Sequence, residues 1–220
     1  MNSDVAYHET RFAFDERRET LWKTLCESYF NRLISLDDTV LELGAGYCSF
    51  INNVRARKRI AVDIWPGVTE AAQPGVQARV GSVTDLSFLE DATVDFVFAS
   101  NLFEHLTQPE FASTLRQLGQ KISLGGSLNI LQPNYKRAYR EYFDDYTHVA
   151  IYSDTSMCDF LAAHDFRVVE RHAGFLPFSI KSRWPVSPAL IRLYLASPIK
   201  PFAKQMFIRA VPKRSAVVMG

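Results

Sequence analysis

Short apolar segments alternate with amphipathic segments along most of this 220-residue chain. Residues 94–100 are apolar almost throughout, which is typical of a strand buried on both faces of a sheet. Residues 39–46 form a similar segment that ends in two glycines. The pattern predicts seven strands, within residues 39–46, 59–64, 76–81, 94–100, 127–132, 166–172 and 205–211.

The segments between several of these strands repeat apolar side chains at helical spacing. They are residues 16–35, 48–57, 108–122 and 153–164. Ser153 is a suitable N-cap for the last of them, and the glycines at 125 and 126 are expected to end the third. Strands that alternate with helices predict an α/β fold with a mostly parallel sheet covered on both faces.

Gly44 and Gly46 follow the first predicted strand, at the sheet edge where ligands of such folds bind. A dinucleotide fingerprint would need a third glycine where Ser49 stands, and a phosphate loop would need a lysine that is missing. Glu42, two residues before the first glycine, would repel a pyrophosphate. The turn therefore favours a ligand that carries an ammonium group, with Asp63 near the end of the next strand.

Residues 42–48 resemble the first motif of the class I S-adenosylmethionine (SAM)-dependent methyltransferases, E/D-x-G-x-G-x-G, with Cys48 at the last glycine. Asp63 matches the acid that ends the second strand in that family. Four further segments of this chain resemble motifs of the family in the same order: residues 81–83, 94–97, 100–106 and 124–128. At 82, a serine stands where many members have an acid.

The resemblance implies a Rossmann-like, seven-stranded, mostly parallel sheet in the order 3-2-1-4-5-7-6, with strand 7 antiparallel and helices on both faces. It implies S-adenosyl-L-methionine as the cofactor, with Asp63 binding both ribose hydroxyls and the segment around 82–83 beside the adenine. The cofactor-binding residues expected on this basis are Glu42, Gly44, Ala45, Gly46, Asp63, Ile64, Ser82, Val83 and Asn101.

Candidate catalytic residues lie beyond the fourth and fifth strands. Methyl transfer to a hydroxyl needs the acceptor in line with the methyl group and a base for the proton. Residues 141–153 combine aromatic and acidic side chains with one histidine. We expect His148, His105 and Asp145 to serve the reaction, with a structural role for the same side chains as the alternative.

Another alternative is a methyl transfer that depends on a bound divalent metal ion. Some SAM methyltransferases with an ExxEH segment bind a divalent ion through its acids, its histidine and a later histidine. In this chain Asn101 stands where the first acid of that segment would be. Glu104 and His105 match its last two positions, and His148 could be the later histidine. Because the first acid is missing, the sequence predicts no metal site.

The composition fits a soluble globular protein, with 47% hydrophobic and 22% charged residues. No apolar run reaches the roughly 18–20 residues that cross a bilayer, and the first residues lack the features of a signal peptide. Three cysteines, an odd number, argue against a disulfide framework and fit a reducing compartment. We therefore expect a cytoplasmic protein.

Charge is distributed unevenly along the chain. Residues 1–170 hold 16 Lys/Arg and 24 Asp/Glu, whereas residues 171–220 hold 9 Lys/Arg and no acid. Within the latter, the Pro-rich segment 173–204 carries five basic residues, which suggests attraction to an anionic partner. The alternatives for this segment are a dimerisation element, making a homodimer, or a lid.

The segments YFDDYTH and FLPFSIKSRWP resemble uncharacterised methyltransferases of bacterial cell-surface polysaccharide biosynthesis. That resemblance implies a saccharide hydroxyl as acceptor, on a lipid- or phosphate-linked carrier, with peripheral contact to a membrane through 173–204. We expect one methyltransferase domain over 1–220, with a helical cap at 1–37 and a basic insertion at 173–204.

The predicted reaction is O-methylation of a saccharide or another small polar hydroxyl acceptor. Two rivals belong to other classes: a non-catalytic SAM-binding protein, favoured by Cys48 and Ser82, and a nucleotide-binding oxidoreductase, disfavoured by Ser49. Nucleic acid is not an expected partner, because the basic residues are confined to the last quarter and no RNA-binding module is visible.

Overall fold

The structure, a computed structural model, describes residues 15–177 and 187–214. Seven strands form one sheet in the order 3-2-1-4-5-7-6, which confirms the predicted fold. They are β1 (Thr39–Leu43), β2 (Lys58–Asp63), β3 (Val76–Val80), β4 (Val94–Ser100), β5 (Ile122–Pro133), β6 (Phe166–Pro177) and β7 (Ala203–Pro212).

Strands β1 to β5 are parallel, and β7 lies antiparallel between β5 and β6. All five residues of β1 are buried, as is most of β4, because the two strands lie in the middle of the sheet with both faces covered. The carboxyl ends of β1, β2 and β4 therefore meet at one edge, where the predicted site residues lie.

Helices surround the sheet: α1 (Glu16–Ser28), α2 (Val68–Ala71), α3 (Gln108–Lys121), α4 (Tyr135–Ala138), α5 (Asp154–Ala163) and α6 (Pro188–Ala196). Two clusters of buried side chains fill the layers. One packs Phe111 of α3 and Met157 of α5 against β4 and β5. The other packs Leu25 of α1 and an aromatic group around Phe50 and Phe98, so both faces of the sheet are covered.

The predicted helix at 48–57 is wrong: residues 47–53 form a series of turns. Cys48 has a left-handed φ of +58°, which a right-handed helix does not accept. The amide of Ile51 donates to the Glu42 carboxylate and not to a carbonyl four residues earlier. Glu42, fixed in β1, thus diverts the backbone from a regular helix.

Other boundaries differ because of tertiary contacts. Helix α1 ends at Ser28, and residues 30–32 form a single 3₁₀ turn, where a continuous helix to 35 was expected. Helix α3 ends at Lys121 and β5 begins at once, so the glycines lie inside the strand and not at the helix end. A Cβ on Gly126 would lie 2.8 Å from the carbonyl oxygen of Val94, so β5 needs glycine to pass β4 at its bulge.

The expected N-terminal cap is represented by α1, since residues 1–14 lie outside the described part of the chain. The basic segment contributes the end of β6, helix α6 and the start of β7, and residues 178–186 also lie outside it. None of the described helices is long and apolar enough to cross a membrane.

Candidate functional site

Two glycines turn the chain at the carboxyl end of β1. Gly44 and Gly46 have φ angles of +65° and +49°, a conformation that is costly for residues with a Cβ. The amides of Gly44 and Ala45 donate to the carbonyl of Val62 at 2.9 and 3.2 Å. A Cβ on Gly44 would lie 2.9 Å from Leu102 Cδ1, so the turn brings bare backbone to the edge where ligands of this fold class bind.

Asp63 connects the end of β2 to this turn. Its Oδ2 accepts a 2.7 Å hydrogen bond from the amide of Gly46, and its Oδ1 accepts a 2.8 Å bond from the amide of Trp65. The residue is 7% exposed. A carboxylate has about four acceptor positions, so both oxygens retain capacity for the hydroxyl groups of a ligand.

Glu42 supports the turn from inside. It is almost fully buried, and its Oε2 accepts a 3.0 Å hydrogen bond from the amide of Ile51. Burial raises the pKa of its carboxyl well above the usual range, although the Ile51 hydrogen bond opposes that effect. The contact with the turn is structural, and its predicted interaction with a ligand's ammonium group stays a prediction.

Cys48, at the third glycine of the motif, keeps the left-handed backbone that a glycine would adopt. Its side chain is fully buried, and Sγ lies 3.7 Å from the carbonyl oxygen of Val68 in α2. Burial raises the pKa of the thiol to about 12. The sulfur therefore packs inward as a neutral thiol, against α2.

The residues expected beside the adenine lie at the ends of β2 and β3. Ile64 is half exposed, whereas Val83 is buried in the core. The Ser82 hydroxyl lies 2.7 Å from Thr84 Oγ1 and accepts a 3.1 Å bond from the Thr84 amide. These contacts shape the 81–85 loop at the same edge of the sheet as Asp63.

Asn101 directly follows β4 and has a left-handed φ of +49°. Its side-chain oxygen accepts a 2.9 Å hydrogen bond from Gln205 Nε2 at the start of β7. Gln205 lies more than 100 residues away in the sequence, and no local pattern indicates this contact. The bond fixes the orientation of the Asn101 amide at the edge of the site.

His105 and His148 lie side by side, with ring centroids 4.8 Å apart. His105 ends a 3₁₀ turn that follows β4, and His148 follows a second such turn, at 142–144. The backbone carbonyl of Glu104 accepts hydrogen bonds from the amides of Val149 and Ala150 at 2.9 and 3.1 Å. Two backbone bonds thus hold the second segment against the first.

Thr147 connects Asp145 to His105. The Thr147 hydroxyl donates a 2.6 Å hydrogen bond to Asp145 Oδ1 and lies 2.9 Å from His105 Nδ1. Since the single hydroxyl proton is given to Asp145, Nδ1 of His105 is the donor in the second bond. The lone pair of His105 is therefore on Nε2, and Thr147 is a residue that the sequence reasoning did not identify.

The electrostatics of this cluster follow from burial. Burial, followed by the charge of His148, lowers the pKa of His105 to about 4, so the ring is neutral at pH 7. Burial raises the pKa of Asp145, but hydrogen bonds from Thr147 more than compensate and leave it below its usual value. Burial also raises the pKa of Glu104 to about 8, with a further contribution from Asp145.

The expected site residues thus form two groups. The residues expected to bind the cofactor lie at the ends of β1, β2, β3 and β4, and the expected catalytic residues lie in the two turn segments beyond β4 and β5. Leu102 joins them, since it lies against Gly44 and precedes His105 by one short turn. Whether each residue performs its predicted role stays a prediction.

Residues 41–130 match the family model described as "Methyltransferase domain". The matched region includes the glycine turn, Asp63 and the Glu104–His105 turn. No sequence among the curated proteins matches the chain. The family match supports methyl transfer as the class of reaction.

Solved structures of low sequence identity share the fold. One is a chain of the Haloferax volcanii complex between the Trm112 methyltransferase activator and a methyltransferase candidate (TM-score 0.68, 15% identity, covering 97% of this chain and 96% of that chain). Another is a SAM-dependent methyltransferase from Archaeoglobus fulgidus (TM-score 0.66, 18% identity, 96% and 99% covered).

A third, geranyl diphosphate methyltransferase in complex with SAM, has a TM-score of 0.59 at 12% identity and covers 88% of this chain and 85% of that chain. At these identities the likeness shows the fold alone.

Proposed function

We propose that this chain is a SAM-dependent methyltransferase that methylates a hydroxyl group of a saccharide or another small polar acceptor. The observation that carries the first part is the bond between the Gly46 amide and Asp63 Oδ2, within a region that matches the methyltransferase domain. This hydrogen bond connects the two features that a nucleoside ligand with a vicinal diol requires. They are a glycine backbone that the ligand can approach closely and a carboxylate that accepts hydrogen bonds from the diol.

The residues present fit the cofactor. Gly44 lets the turn pass close to Leu102, which a Cβ would approach to 2.9 Å. Asp63 has spare acceptor positions for a charge-assisted, bidentate contact with two ribose hydroxyls. Ile64 would flank the adenine, the backbone amide at Val83 would reach the adenine edge, and Asn101 would border the methionyl part. When bound, the cofactor supplies an electrophilic methyl group on a sulfonium.

The chain's own part in the chemistry would be to place the acceptor and accept its proton. His105 is neutral at pH 7 and holds its lone pair on Nε2, because Thr147 and Asp145 hold its Nδ1 proton. A neutral imidazole next to His148 is the group best suited to this role. Asp145 would act through Thr147 as a positioning residue.

The proposal of a saccharide acceptor rests on the surface next to this cluster. Tyr139, Phe143 and Tyr146 are 53%, 56% and 70% exposed, between β5 and α5. Exposed aromatic rings offer flat apolar faces to the C–H face of a sugar, and the exposed guanidinium of Arg140 offers hydrogen-bond donors for its hydroxyls. A sugar uses both kinds of contact at once.

Titration calorimetry with SAM, S-adenosylhomocysteine and NAD tests the proposal. We expect the first two to bind and NAD not to bind. The D63N variant should bind S-adenosylhomocysteine at least about 10-fold more weakly, as the loss of a charge-assisted contact costs about 1.5–3 kcal/mol. The matched control is D91N, which changes an exposed carboxylate paired with Lys121. NAD binding without SAM or S-adenosylhomocysteine binding would refute the proposal.

The acceptor requires a separate assay, in which radiolabelled SAM is incubated with nucleotide sugars, oligosaccharides and lipid-linked saccharides. Methyl transfer to a saccharide that falls at least 10-fold in a Y146A variant supports the acceptor class. Tight binding of S-adenosylhomocysteine with no transfer to any acceptor would favour the rival, a non-catalytic SAM-binding protein.

A peripheral contact with an anionic membrane or a phosphorylated carrier is the further part of this proposal. Leu193, Ile199 and Phe202 are 67%, 74% and 85% exposed on and after α6, in a part of the chain that has basic residues and no acids. Flotation with anionic and neutral vesicles tests it, and dimer formation is checked by light scattering. Unchanged affinity after neutralising Lys181, Arg183 and Arg192 would contradict it.

A further inference from the structure

Three side chains that offer metal-ligand atoms meet beyond the end of β4. Glu104 and His105 come from the 3₁₀ turn after that strand, and His148 comes from the segment before α5. Their ligand atoms all lie within 4.8 Å of one another. The backbone bonds from Val149 and Ala150 to the Glu104 carbonyl keep the two segments together.

Glu104 is the unusual member of this group. It is fully buried, with 0% exposure, and neither carboxylate oxygen has a hydrogen-bond partner among the described residues. Removing an unpaired carboxylate from water costs several kcal/mol, so such a group either takes up a proton or binds a cation. No lysine or arginine pairs with Glu104 within residues 15–177 and 187–214.

The two histidines present the correct nitrogen atoms. His148 Nδ1 lies 2.5 Å from the carbonyl oxygen of Tyr142, an acceptor, so Nδ1 carries the proton and Nε2 holds the lone pair. His105 has the same tautomer because of Thr147. In metal sites, a histidine that coordinates through one nitrogen almost always donates the other N–H to a carbonyl, a carboxylate or water. Both rings therefore have the arrangement that a metal ligand needs.

We propose that Glu104, His105 and His148 bind one divalent transition metal ion, with Zn²⁺ or Mn²⁺ as the candidates. Two imidazoles and one carboxylate suit such ions, whereas Mg²⁺ and Ca²⁺ prefer sites made of oxygen alone. Ligand atoms about 2.1 Å from one ion lie at most about 4.2 Å apart, so the outermost pair has to approach by roughly half an ångström. Three protein ligands leave coordination positions for water or an acceptor.

This inference departs from the sequence prediction of a site without metal. The sequence predicts no metal at this position because an asparagine replaces the acid at 101. The structure shows that residue 101 is not needed for a three-ligand set, because His148 lies beside His105. If the proposed function holds, an acceptor hydroxyl bound to this ion would have a lowered pKa and would lose its proton to solvent water, and His105 would then serve as a metal ligand in place of the base.

The full-length protein, treated with a chelator and dialysed, is titrated with Zn²⁺ and with Mn²⁺ by calorimetry. We expect one ion per chain for at least one of the two metals. The E104Q, H105A and H148A variants should each bind that ion at least 10-fold more weakly, since even the loss of a residue behind a ligand costs about 10- to 100-fold. The control is H172A, which removes an exposed histidine paired with Glu170.

Wild-type protein that binds neither metal at one per chain overturns the proposal, and so does an affinity that all three variants retain. E104Q preserves the shape of the side chain, and its circular dichroism and thermal melting show whether it is folded. Binding of S-adenosylhomocysteine to the metal-free protein is measured in parallel. If it persists while metal binding is absent, the metal site is refuted and the methyltransferase proposal is not.

Discussion

The amide of Gly46 donates a 2.7 Å hydrogen bond to Asp63 Oδ2. The two residues belong to different strand ends, and the bond closes the glycine turn of β1 onto β2. A second bond, from Trp65 to Oδ1, leaves the carboxylate oriented along the carboxyl edge of the sheet. The contact makes the glycine turn and the acid one unit, so a change in either should affect both stability and ligand binding.

Replacing Gly44 with alanine should damage this unit. The new Cβ would have a left-handed backbone and lie 2.9 Å from Leu102 Cδ1. We expect the free energy of unfolding to fall by about 1–3 kcal/mol and the affinity for S-adenosylhomocysteine to fall with it. Urea denaturation and calorimetry measure the two effects.

The matched control is G119A, in helix α3, where a Cβ would meet nothing within 4 Å. Alanine in a helix interior should stabilise the protein by roughly 0.5–1 kcal/mol. If both variants behaved alike, close packing at Gly44 would not be the cause.

Cys48 should tolerate glycine better than valine. C48G loses a buried sulfur but relieves the left-handed backbone, so we expect a stability change within about 1 kcal/mol. C48V puts a β-branched side chain at a φ of +58° in a full core and should cost more than about 2 kcal/mol. Thermal melting compares the two, and equal stability of both variants would contradict the assigned conformation.

Thr147 should matter for activity although it bears no charge. T147V removes the hydroxyl between Asp145 and His105, so Nδ1 of the histidine keeps only its 3.3 Å contact with the Thr147 carbonyl and loses its link to Asp145. We expect kcat to fall at least about 10-fold with a smaller change in KM, and the acidic limb of the pH–rate profile to move. T93V, at the other end of β4, serves as the control, and an unchanged profile in T147V would argue for a purely structural threonine.

The buried cluster should give the metal-free protein a distinctive pH dependence. The pKa of Glu104 is raised to about 8, so its contribution to stability is complete below its ordinary pKa of 4.5 and is lost as the pH rises through 8. The contribution of His105 to stability depends on pH in the opposite direction. It is complete above pH 6.5, the ordinary pKa of the ring, and is lost as the pH falls through about 4.

Urea denaturation in a chelator tests this dependence. At pH 9, E104Q should exceed the wild type in stability by at least about 1 kcal/mol, because the amide stays neutral. At pH 5.5 the two should be within about 1 kcal/mol of each other, since Glu104 is then protonated. The same difference at both pH values would show that charge is not its cause.

The fold class and most of the helices and strands follow from the amino-acid sequence alone. Strand β4 spans the predicted residues 94–100, helix α3 lies within 108–122, and Ser153 caps α5 as expected. These features depend on apolar periodicity and on capping, which are local. The order of the sheet and the expected role of Asp63 came from the resemblance to a known family, and the structure confirms the order.

The assembly of the site depends on long-range contacts that form only in the folded chain. Glu42 turns residues 47–53 away from a helix, Gln205 orients Asn101, and His148 meets Glu104 and His105 across 43 residues or more of chain. Each contact joins residues that are distant in sequence or depends on which way a side chain points. Periodicity reports which face of an element is apolar, but it carries no information about which polar groups meet where two strands end.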